Sequence, residues 1–392
     1  MTRNTTIFLI TEAILAAAGG FILPIYVLYF RQYQITIFQV ALLAVIFEAS
    51  ILIFEIPTGL LADRFGRKMS VIIGFLLFGL SGLVFILQRN LGGFITGEIL
   101  LGLGEAFISG AGEALAVDSI STDQDSAKLS KLFIWRSRVR IVMTSFFMLM
   151  AGYLYTMNMS ITFYPILIGG CLGAIGASFY ARVQPEKGTE PHRFFEPLKS
   201  LFHQITLSGS LKVIFLASLV ANFSFEGVDQ YWQILCSEFF DINIKAFGFI
   251  TAAGALIAFF LVGPIVRRTA GGISSALLIL LIAGVNISSL PHVPRIILPV
   301  MLVMYFICKE LVSPLFSISI NSIIPDAGRA TFLSGYNLTC SIGEVGAGLI
   351  IGVMASELGI PAVFVLSGSL LVIFIFGAML TFRSTLEPPR RT

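Results

Sequence analysis

Gly59-Leu60-Leu61-Ala62-Asp63-Arg64-Phe65-Gly66-Arg67-Lys68 gathers two glycines, one acid and three bases between two long apolar runs, near 38–61 and 70–87. Each run holds the roughly 20 mostly apolar residues that cross a bilayer core as a helix. Charges at this density do not rest in hydrocarbon. The stretch is therefore a tight turn that carries the chain from one span to the next at a membrane face.

Composition agrees with that reading. Hydrophobic residues make up 56% of the 392-residue chain, charged residues only 12%, and mean hydropathy is +0.93. A soluble chain of this length needs a charged surface that this one lacks. The fold class expected is an all-α polytopic membrane protein. Cys171, Cys236, Cys308 and Cys340 are scattered through apolar runs without paired spacing, and His192, His203 and His292 lie outside those runs. No disulfide framework, metal site or cofactor is expected from that pattern.

Twelve apolar runs are long enough to span, near 7–30, 38–61, 70–87, 91–117, 139–157, 161–181, 213–239, 246–266, 273–290, 296–323, 331–355 and 361–382. Ala16-Ala17-Ala18 offers small residues of the kind found at a leader cleavage site, but the first run continues to Phe30, too long for a cleaved segment. Basic loops stay in the cytoplasm, so the Lys and Arg distribution sets the orientation. With the N-terminus inside, 20 of the 25 basic residues fall in cytoplasmic segments, including Arg136, Arg138 and Arg140 at the start of the fifth span. Arg31, Arg89, Lys245 and Arg295 fall outside, and Lys309 is the one base deep in a span. Both termini are expected on the cytoplasmic side.

Residues 182–212 form the one long polar connection, with Pro185, Pro191 and Pro197 and mixed charges. They read as a cytoplasmic linker between two pseudo-symmetric six-helix bundles, 1–181 and 213–392. Phe194, Phe195, Leu198, Leu201, Phe202 and Ile205 fit either a short surface helix or a partly ordered tether. The halves echo each other. Asp118-Ser119-Ile120 returns 203 positions later as Asn321-Ser322-Ile323, and Gly59 returns 204 positions later as Gly263 ahead of Arg267-Arg268. Parallel repeats of this kind build one class of secondary transporter.

The turn's pattern, G-x-x-x-D-R-x-G-R-K, resembles the loop between the second and third helices of the major facilitator superfamily of transporters, which lies on the cytoplasmic side. Span number, central linker and repeat extend the resemblance over the whole chain, in the style of the bacterial drug and metabolite efflux branch. The resemblance implies a non-enzymatic carrier in the bacterial cytoplasmic (inner) membrane, a monomer with the lipid bilayer around it. It would take a small-molecule substrate, protons as coupling ion and no nucleic acid. In the family this loop closes the cytoplasmic side as a latch. Carried onto this sequence, the latch is Gly59, Asp63, Arg64, Gly66, Arg67 and Asp118. Asp63 would sit against the start of the eleventh span, where a helix N-terminus attracts an anion, and Arg67 would pair with Asp118 at the end of the fourth.

Ionisable residues inside spans are costly and mark functional positions. Here they are Glu12, Glu48, Glu55, Glu98, Glu105, Glu113, Glu226, Asp229, Lys309, Glu310 and Glu344. In the fourth span Glu98 and Glu105 lie about 20° apart around the helix and Glu113 about 80° from Glu105, so the three share roughly one face. Gly97, Gly102, Gly104, Gly110 and Gly112 between them permit close helix contact. Acids on one stripe in a low dielectric repel one another, which makes Glu105, Glu98 and Glu113 proton-coupling candidates, with Glu226 and Asp229 beside them; mere helix glue is the other reading. If the seventh and tenth spans line a cavity as in the family, Lys309 would pair with Glu226 or Asp229, or meet an anionic substrate group. The stretch 222–233 mixes polar and aromatic residues in mid-span, either as a substrate site or as a kinked packing helix. Candidates for the substrate cavity are Glu12, Phe223, Tyr231, Trp232, Lys309 and Glu310.

Two departures from the drug:proton antiporters bear on direction. Those proteins carry an arginine in the fourth span, where this chain has Glu98, and a Gly-Pro motif in the fifth, where it has no proline. Proton-driven efflux of a small organic compound is expected, with symport uptake of a nutrient or siderophore-type metabolite as the alternative. A polytopic membrane enzyme would need a nucleophile or metal set that the spans do not offer.

Overall fold

The computed structural model describes residues 2–120, 126–181, 208–269, 273–324 and 329–381. The described residues form helices joined by short turns, with no strand among them. Among the described residues twelve helices are long and apolar enough to cross a membrane, numbered here as spans 1 to 12: Arg3–Ile22, Ile37–Ala62, Arg67–Leu87, Leu91–Asp118, Lys131–Met157, Ile161–Ser178, Gly209–Phe239, Ile244–Ile265, Ile273–His292, Leu298–Ile320, Gly335–Leu358 and Ile360–Thr381.

Two boundaries differ from the sequence reading. Span 1 stops at Ile22, because Pro24 cannot continue the helical hydrogen bonds, and a separate short helix, Tyr26–Gln32, follows. The helix of span 5 begins far ahead of residue 139: it runs unbroken from Ser126 to Met157 and so contains Arg136, Arg138 and Arg140. The region from Phe194 to Ile205, read as a surface helix or tether, lies outside the described residues. Span 7 starts cleanly at Gly209, where the Ser208 hydroxyl accepts from the Leu211 amide at 3.3 Å.

The chain divides into two compact units. The first holds spans 1 to 6 and the segment Ile242–Ala252; the second holds span 7, the rest of span 8 and spans 9 to 12. Inside the first unit, span 3 packs on spans 4 and 6, and span 1 on spans 5 and 6. Inside the second, span 9 packs on spans 10 and 12, and span 7 on spans 11 and 12. Each of these second-unit pairs is a first-unit pair with six added to both numbers.

The repeat reaches the residues at the crossings. Spans 3 and 6 meet at Gly79 and Gly170, where a methyl group on Gly79 would fall 3.2 Å from the Gly170 Cα. Spans 9 and 12 meet at Gly284 and Gly368, where one on Gly284 would fall 3.0 Å from the Gly368 carbonyl oxygen. Lipid tails are as apolar as leucine, so close backbone approach is what joins such helices. The glycines of span 4 divide. Gly97, Gly102 and Gly104 press against Phe85, Phe47 and Gly74 of neighbouring helices, whereas Gly110 faces open space.

Candidate functional site

The turn at Gly59–Lys68 ties three helix ends together. Gly66 carries φ +96°, a left-handed conformation that a side chain would strain, and so ends the helix of span 2 and admits span 3 at once. Arg67 then donates to the Asp118 carboxylate at the end of span 4. Lys68 donates to the carbonyls of Ser178 and, at 2.9 Å, Tyr180, neutralising the negative end of span 6. Gly59 and Arg64 are exposed, with Arg64 lying over the Phe65 ring. The side chain of Asp63 lies outside the described residues.

A network of alternating charges fills the contact between spans 1, 4 and 5. Glu12, tenth of twenty residues in span 1, is buried and accepts from two guanidiniums: Arg140 at 2.9 Å and Arg136 at 3.1 Å. Arg136 also donates to Glu113 of span 4 at 2.8 Å and lies over the Phe8 ring. Spans 1 and 5 approach closely enough for this because Gly20 leaves room for the backbone of Thr144, whose hydroxyl donates to the Ala16 carbonyl at 3.3 Å. Lys309 is therefore not the only base inside a span. Arg136 and Arg140 stand four apart on one helix face, a spacing that could have marked them as part of the span.

These partners also separate the acids of span 4. Glu113 is held by Arg136, and Glu105 lies within electrostatic reach of Arg140, Arg136 and Glu12. Glu98, buried, has Glu48 of span 2 as its charged neighbour. Mutual repulsion along the stripe, expected from helical angle alone, gives way to three different surroundings.

In the second unit the charges converge. Lys309 of span 10 donates to Oδ2 of Asp229 in span 7, and the buried Tyr305 donates to Oδ1 at 2.9 Å. Glu226, one turn away, accepts from Gln230 at 2.7 Å and has Asp229, Glu344 and Lys309 within electrostatic reach. Glu344 of span 11, one of the charges counted inside spans, completes the group, and Tyr305 did not stand among the sequence candidates. Glu310 is exposed on the neighbouring face and Phe223 is half-buried. Tyr231 and Trp232 are both buried, and the Trp232 ring meets Phe306 edge-on at 5.6 Å between centroids. Glu12, enclosed by two arginines, likewise presents no open carboxylate.

Twelve spans in two related units, with ion pairs buried among them, define a polytopic membrane transporter. A sequence model of the Major Facilitator Superfamily matches residues 8–343, and the chain belongs to that family. It is 24% identical to the uncharacterized MFS-type transporter YxaM of Bacillus subtilis (strain 168), over 94% of this chain and 93% of that one. It is also 24% identical to Multidrug resistance protein 2 of the same organism, over 95% and 93%. Among solved structures it is similar to the nucleoside transporter NupG, with a TM-score of 0.78 at 13% identity over 97% of this chain and 100% of that one. A POT family transporter in complex with 5-aminolevulinic acid gives 0.74 at 13% identity, over 99% and 97%. At such identities the likeness is one of fold. The chain is a multi-pass secondary transporter for a small-molecule substrate.

Proposed function

We propose that this transporter expels a small organic compound by alternating access, driven by protons that enter through the Asp229 cluster. The observation that carries this reading is the count of charges around Lys309. Among the described residues four carboxyls, Glu226, Asp229, Glu310 and Glu344, stand within electrostatic reach of one ammonium. One acid suffices to pair Lys309, so the others give the cluster capacity to gain and lose a proton while the pair persists. A coupling site needs a group whose charge changes between conformations. Glu105 stands instead within electrostatic reach of Arg140 and Arg136.

The basic-residue distribution supports cytoplasmic termini even with Arg136 and Arg140 moved into span 5, and hence a turn at Gly59–Lys68 that works as a cytoplasmic latch. On this reading the bundles 1–181 and 213–392 are the moving parts, and 182–212 links them. The name of Multidrug resistance protein 2 favours efflux. Uptake by symport is the second reading, favoured by a span 5 without proline. Proteoliposomes loaded with a mixed compound library test both. An imposed proton gradient should drive movement of at least one compound, with its direction read from the sign of the gradient, and a protonophore should abolish it. Movement indifferent to the protonophore overturns proton coupling.

A further inference from the structure

Arg136 and Arg140 share Glu12 but are not equally engaged. Arg136 is occupied on both sides, by Glu12 and by Glu113, with Phe8 beneath it. Arg140 makes its ion pair with Glu12 through one nitrogen, and its side chain is 48% exposed while that of Glu12 is 6% exposed. A guanidinium has five N–H donors in a fixed plane, so Arg140 offers most of its fork to whatever lies outside. The depth is decisive. Glu12 stands mid-way along span 1, ~15 Å from either end at 1.5 Å per residue. An arginine with open donors at that level does not face hydrocarbon, and the exposed side must be wet. Planar, permanently charged and weakly hydrated, such a fork suits carboxylate, phosphate or sulfonate groups held by two parallel hydrogen bonds.

We propose that Arg140 anchors an anionic group of the transported compound, so that the substrate is an organic anion or zwitterion and not a lipophilic cation. This rests on the transport reading above and narrows its substrate class. Charge balance identifies the competing group. Glu12 and Glu113 match Arg136 and Arg140 one for one, and Glu105 is the carboxyl left over, within electrostatic reach of both arginines. A substrate anion thus competes with Glu105 for Arg140, and removing that competitor strengthens binding.

The test uses the full-length protein purified in detergent, with ligand-dependent thermal stabilisation as readout and no gradient. The probes are benzoate, 2-naphthoate and phenyl phosphate, the methyl ester or amide of each acid, and tetraphenylphosphonium. At least one acid should stabilise the wild type saturably while its uncharged derivative does not. R140Q should weaken that acid at least tenfold, R140K less so, and E105Q should tighten it several-fold. Because R140Q leaves Glu12 with one partner, the E12Q/R140Q double variant keeps the charges balanced and should show the same loss. Stabilisation by the cation alone, by no acid, or by acids equally in wild type, R140K and the double variant overturns the assignment. Acids that bind through Arg140 yet are not moved by a proton gradient would instead overturn proton-driven transport and leave the anion site standing.

Discussion

The hydroxyl of Tyr305 lies 2.9 Å from Oδ1 of Asp229, while Lys309, one turn further along the same helix, holds Oδ2. Both oxygens of one carboxylate are thus fixed from a single face of span 10. Tyr305→Phe keeps the ring and removes one hydrogen bond to a charged acceptor, a loss of about 1.5–3 kcal/mol in whichever state makes it. Gradient-driven transport should fall about tenfold or more, since ~1.4 kcal/mol is a factor of ten in rate. Normal transport in Tyr305→Phe would show that Lys309 alone positions Asp229.

The Arg67–Asp118 pair is only partly buried, with side chains 30% and 37% exposed. Its contribution to stability should be small, about 0.2–1 kcal/mol. Asp118→Asn or Arg67→Ala should therefore leave the melting temperature nearly unchanged while transport drops severalfold. The exchange Arg67→Asp with Asp118→Arg should restore part of the rate. A melting shift as large as the transport loss would mean that the pair is a structural brace and not a latch.

Glu12→Gln leaves Arg140 and one side of Arg136 without their buried counter-charge. Arg140 is 48% exposed and Arg136 keeps Glu113, so the loss should fall below the ~3–5 kcal/mol of stranding a fully buried charge. The melting temperature should fall, and the added change Arg140→Gln should recover it in part. Equal melting of wild type and Glu12→Gln in detergent would contradict the network.

Gly170→Ala pushes a methyl group into the backbone of Gly79, which cannot yield without moving span 3 from span 6. A loss of about 1–3 kcal/mol is expected from overpacking of this kind. Gly59 has nothing within 4 Å of an added methyl, so Gly59→Ala should fold normally. Comparing the two melting curves checks the seam directly.

Spans and turn were legible because they depend on local composition: twenty apolar residues, then a glycine that the left-handed turn at Gly66 requires. Lys309 and Asp229 could be matched because each is a rare charge in its own run. The start of span 5 was not legible. Hydropathy falls at Arg136, Arg138 and Arg140, and the helix runs through them with Glu113 and Glu12, 23 and 128 residues distant, neutralising two of the three. Partners that remote leave no mark on a window of sequence. Beside Asp229 and Gln230, Tyr231 and Trp232 read as site residues, and sequence alone could not show that both are buried or that the Trp232 ring meets Phe306.

Glu113, Arg136, Glu12 and Arg140 form a chain in which each interior member has a neighbour of opposite sign on either side. No position in such a chain drifts alone. A neutral mutation at one link strands a charge at the next, so viable histories pass through paired exchanges or through loss of a whole acid–base couple. Positions 12, 113, 136 and 140 should therefore covary across descendants of this gene, with arginine at 136 tracking acids at 12 and 113. Arginine at 140 should be retained or exchanged along with the chemical class of compound carried.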